Sequence, residues 1–129
     1  MNNRITWVKI AGKDYPLNFS VKAAREVSAR YGDVGAIQAE LDKRNQADLL
    51  AELSWLMALL IVQGVAYIRI TEEREVPGIT ADDLEVVLGA TDQSTTDLIQ
   101  TVFAAISGGS ARTVVTEDNT KNAGATSEQ

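Results

Sequence analysis

Neither cysteine nor histidine occurs anywhere in the chain. Without cysteine there is no disulfide and no thiolate nucleophile, and the composition is compatible with a reducing compartment. Without histidine, the commonest zinc sites, every Ser-His or Cys-His nucleophile arrangement and the usual general base near neutral pH are excluded. Aromatic residues make up only 5% and there are two prolines. No basic stretch followed by an apolar run and a small-residue cleavage site opens the sequence, so no secretory signal is expected. Nor is there a basic excess: the net charge is −6, which argues against nucleic acid as a partner because phosphate affinity needs a basic face.

What the 129 residues do contain is enough apolar material, 45%, for one core. It is concentrated in Asp48 to Ile70, DLLAELSWLMALLIVQGVAYIRI, which is apolar on more than one helical face. Such a helix is either the centre of a core or a membrane span. The uncharged window between Glu52 and Arg69 falls short of the roughly 18 to 20 apolar residues of a bilayer crossing, and Ser54, Gln63 and Gly64 interrupt it. No one-sided Lys or Arg excess flanks it, so a central buried helix is expected and no membrane partner. Asn45 is its candidate N-cap. Gly64 costs a mid-helix position about 1 kcal/mol, and close approach of another element would explain it.

The remaining elements are short and one-faced. Ile5–Ile10 and Tyr15–Phe19 read as a β-hairpin turning through Ala11-Gly12-Lys13-Asp14, with Pro16 confining its strand to an edge. An isolated hairpin is marginal in water, so this one must lie on helices or pair with a strand of another molecule. Ser20 caps the next helix, whose expected inner face is Val21, Ala24, Val27 and Tyr31, and Gly32 ends it. A short helix carrying Val34, Ile37 and Leu41 precedes the central one. Beyond it, Pro77-Gly78 marks a turn, Thr80 caps a helix bearing Leu84, Val87 and Leu88, and Gly89 closes that helix. Thr91 or Ser94 starts the last helix, with Leu98, Ile99, Val102, Phe103 and Ile106 as its stripe and Gly108-Gly109 as its stop.

The expected class is α+β, mainly α: a hairpin over 4–19 and about five helices over 20–107, forming one domain at 1–109 with a flexible polar tail at 110–129. The acidic groups Asp82-Asp83-Glu85 and Glu72-Glu73-Glu75 are accounted for by helix-start preference and by a solvated loop. No spacing suits calcium, and no glycine-rich phosphate cradle follows a strand. No catalytic residue, metal site or cofactor is therefore expected.

Three segments carry a resemblance: GKDYPLNFSVKAAREVSARYG (Gly12 to Gly32), LLAELSWLMALLIVQG (Leu49 to Gly64) and GITADDLEVVL (Gly78 to Leu88). Together they resemble the small tail assembly chaperones of long-tailed bacteriophages and prophages. The resemblance rests on hydrophobic spacing and punctuating residues rather than on a binding motif. It implies a non-enzymatic protein of the host cytoplasm that coats the apolar tape measure protein, promotes tail tube assembly around it and is absent from the virion. It also implies contact with the tail tube protein, in many members through a longer frameshifted form. A small structural component, such as a head–tail connector or tail completion protein, is the alternative.

Coating a long apolar partner calls for exposed apolar surface and many copies. Tyr15, Pro16 and Leu17 at the hairpin edge, with Trp55, Leu56 and Leu59 on the central helix, are candidate partner contacts, or else ordinary core and surface. Charge polarity adds a candidate for self-association. Met1 to Asp33 holds six basic residues against three acids, a balance of +3, which leaves −9 for the rest.

Overall fold

The computed structural model describes residues 4–88 and 94–118, with side chains as far as residue 108. Strands β1 (Thr6–Ile10) and β2 (Lys13–Leu17) form an antiparallel hairpin. Helices α1 (Val21–Tyr31), α2 (Ile37–Asp42), α3 (Gln46–Glu72), α4 (Ala81–Val87) and α5 (Thr95–Asp118) follow, with a 3-10 turn at Val34–Ala36 before α2. The class is α+β with helix dominant, as the sequence predicts.

The hairpin turn is tighter than expected. Only Ala11 and Gly12 lie between the strands, at φ 51° and 83°, so β2 begins at Lys13 rather than Tyr15. Two successive left-handed residues match the right-handed twist of the strands, which a four-residue turn would not need.

Helix ends follow local chemistry. The Ser20 hydroxyl accepts from the Ala23 amide at 3.0 Å, Asn45 Oδ1 from Asp48 at 2.9 Å, Thr80 from Asp83 at 3.1 Å and Ser94 from Asp97 at 3.1 Å. Each satisfies an amide that has no partner within its helix. Gly32, at φ 93°, ends α1 with its amide on Ser28 O. The inner face of α1 is rotated from the expected one. Ala23 and Val27 are buried while Val21 is 71% exposed, because the Ser20 cap places the first helical residue outward.

Gly108-Gly109 do not stop the last helix, which continues to Asp118. Glycine ends a helix by turning left-handed, and Gly108 does not. Inside a helix it costs only about 1 kcal/mol. The expected tail is thus helical over 110–118; its remainder, 119–129, and the proposed cap at Gly89 lie outside the described residues.

Helix α3 packs against β2, α1, α2, α4 and α5. By length and composition it could cross a membrane, but it serves as the core helix: Leu53, Leu56, Met57, Leu60 and Ile61 are fully buried. Each such side chain contributes roughly 1.5 to 3 kcal/mol. Ser54, buried in the same run, donates to Leu50 O at 2.8 Å and so leaves no polar group unpaired. Gly64 meets β2 directly. A β-carbon there would collide with the Pro16 carbonyl, and the Asn18 amide donates to Leu60 O at 3.1 Å beside it.

Candidate partner-binding groove

One face of α3 is not covered by the other described residues. Trp55, Ala58, Leu59 and Val62 recur at the three-and-four spacing of a helical stripe. Val62 is 57% exposed and the other three are half-buried. They floor an open groove of about 480 Å³, walled on one side by Lys22 and Glu26 of α1 and on the other by Ile79 ahead of α4. The stripe exists because α3 is apolar around its whole circumference while α1 and α4 are too short to enclose it.

One end of the groove is held by an ionic cluster. Glu52 on α3 is only 4% exposed and accepts from Arg30 of α1 twice, from Nε at 2.7 Å and from Nη2 at 2.9 Å. The Tyr31 hydroxyl donates to the same carboxylate, and Arg44 Nη2 stands 3.9 Å away. A buried carboxylate persists only when paired and hydrogen-bonded this fully. The Arg30 hydrogen bonds, helped by Tyr31 and Arg44 and opposed by burial, hold its pKa at about 2 rather than 4.5. Burial, together with donation to Glu52, pushes the Tyr31 hydroxyl pKa well above the ordinary tyrosine range.

The cluster also fixes Trp55. The Arg30 guanidinium lies 4.2 Å from the centre of the indole, and the Tyr31 ring meets it edge-on at 6.3 Å and 73°. A cation over the ring face and an aromatic edge are both favourable placements. Trp55 is therefore held in one orientation with part of its ring still open to the groove.

Of the six expected partner contacts, only Trp55 and Leu59 line this groove. Tyr15, Pro16 and Leu17 are buried in the chain's own core, where α3 closes over the outer edge of β2 at Gly64, and Leu56 is buried on the inward side of α3 itself. The sequence reading missed Lys22, Glu26 and Ile79, which come from other parts of the chain, and the Arg30–Glu52 pair. One signal for the pair was present, an acid inside the leucine run of α3, which demands a partner.

The groove is apolar and its charged side chains stand on one wall. Asp82, Asp83, Glu73 and Glu75 are exposed, and Glu72 is bridged by Arg74 at 2.9 Å. Among the described residues no cluster of acids is arranged to hold a metal ion. No family model, no curated protein and no solved structure matches the chain.

Proposed function

We propose that this chain is a non-catalytic binding protein that holds apolar helical segments of another protein in the Trp55–Val62 groove, acting as a tail assembly chaperone of a long-tailed phage or prophage. The observation that carries the reading is an apolar stripe left open on the core helix, with its tryptophan anchored by Arg30 and Tyr31. Apolar surface beside a preset aromatic anchor is how a groove takes the apolar face of a helix. The resemblance of Gly12 to Leu88 supplies the identity of the partner: the tape measure protein, coated in the host cytoplasm until tube subunits, recruited directly or through a longer form of the chain, replace the chaperone.

Co-expression with the tape measure protein tests the reading. Expected is a soluble complex recovered through either partner; a tape measure that is equally soluble alone and binds nothing here overturns it. Mass spectrometry of purified particles adds a second arm. The chain should be missing from them, whereas its presence in stoichiometric amount would favour a connector or completion protein.

A further inference from the structure

We propose that β1 is a docking edge for a second copy of this chain, the two β1 strands pairing antiparallel about Val8 so that two hairpins join into one four-stranded sheet. The two-residue turn fixes which backbone groups are available. With Ile10 opposite Lys13, Val8 opposite Tyr15 and Thr6 opposite Leu17, those residues exchange the hydrogen bonds of the hairpin. The amides and carbonyls of Trp7 and Lys9 therefore point away from β2, and on β2 those of Asp14, Pro16 and Asn18 point away from β1.

The two outer edges have different fates. That of β2 is closed: Pro16 has no N–H, its carbonyl abuts Gly64, and the Asn18 amide is bonded to Leu60 O at 3.1 Å. That of β1 is open. Among the described residues, no backbone group bonds Trp7 or Lys9 on their outward side. Trp7 is 48% exposed, a large apolar side chain beside an unused row of donors and acceptors. Two-stranded sheets are marginal, and strand addition to such an edge satisfies its backbone.

The edge fits its own copy. In an antiparallel pair centred on Val8, Trp7 of each chain faces Lys9 of the other, and both exchange backbone bonds. The lysine ammonium, steadied by Asp14 at 3.1 Å, then lies within reach of an indole instead of a like charge. A lysine on a short edge strand usually discourages pairing. Here the same lysine selects the register, since slipping the strands to set Lys9 against Lys9 would bring two cations together. The contact is isologous and closes at two copies. It leaves the groove untouched and does not depend on the partner reading.

The test is light scattering of the intact chain over rising concentration, with amide exchange followed at Trp7, Val8 and Lys9. Expected is a doubling of molar mass, with protection gained at Trp7 and Lys9 but not at Val8, whose amide is already bonded. The variant Lys9→Pro removes an outward N–H just as Pro16 does on the neighbouring strand, so it should fold and remain single. If that variant fails to fold, Trp7→Ala serves, with association expected to weaken at least several-fold. A wild type that remains single at millimolar concentration overturns the proposal. So does association that leaves the Trp7 and Lys9 amides unprotected, or that persists undiminished in the folded variant.

Discussion

The carbonyl of Pro16 occupies the space that a β-carbon on Gly64 would need, and the Pro16 ring carbon Cβ would stand 2.9 Å from that atom. The hairpin is seated on the core helix at this point, and the seat is backbone against backbone. Gly64→Ala would gain about 1 kcal/mol of helix propensity and lose more, because the collision is with main chain that cannot swing aside. A net loss of about 2 kcal/mol is expected, read as a lower urea midpoint with an unchanged slope.

Glu52 makes stability depend on acidity. Its folded pKa of about 2 lies below the ordinary 4.5, so its contribution is complete above about pH 4.5 and disappears as the pH falls toward about 2. Glu52→Gln should flatten that part of the profile. At neutral pH it should cost roughly 2 to 3 kcal/mol, at or below the low end for a broken buried pair because Arg30 is itself partly in water. Denaturant midpoints from pH 2 to 7, wild type against variant, give the comparison.

At high pH the same cluster has a second signature. The Tyr31 hydroxyl ionises later than an ordinary tyrosine, so the stability tied to its protonated form is complete below the ordinary value and is lost only as pH rises through the raised one. An alkaline absorbance titration should show a late-ionising phenol that Tyr31→Phe removes.

Ala11 sits at φ 51°, a left-handed conformation that is unfavourable for an alanine by about 1 to 2 kcal/mol. Ala11→Asn creates the Asn-Gly pair that two-residue turns favour. Thermal unfolding should show a gain of about 1 kcal/mol.

Much of the fold was legible because helix ends are written locally. Ser20, Asn45 and Thr80 carry short side chains that accept from an amide three residues on, and Gly64 announced a close approach before its neighbour was known. Failures arose where two choices were locally acceptable and packing decided. Gly108 can end a helix or continue one; Ala11 gives no hint of a left-handed turn. The site was half legible. Trp55 and Leu59 stand out on a helix with too many apolar faces, but that Leu56 is buried while Leu59 lines the groove is decided by packing from elsewhere in the chain. Ile79 and Lys22 reach the groove from distant parts of the chain, which no local pattern records.

Val62 is the most exposed floor residue of the groove, so a charge there should change stability by no more than about 0.5 kcal/mol. The central measurement is therefore the affinity of an apolar helical segment of the tape measure protein for the wild type and for Val62→Glu, by calorimetry on folded protein. An open groove that receives that segment predicts binding to the wild type and at least about a tenfold loss in the variant, ~1.4 kcal/mol. Equal affinity for both, or none for the wild type, would contradict it.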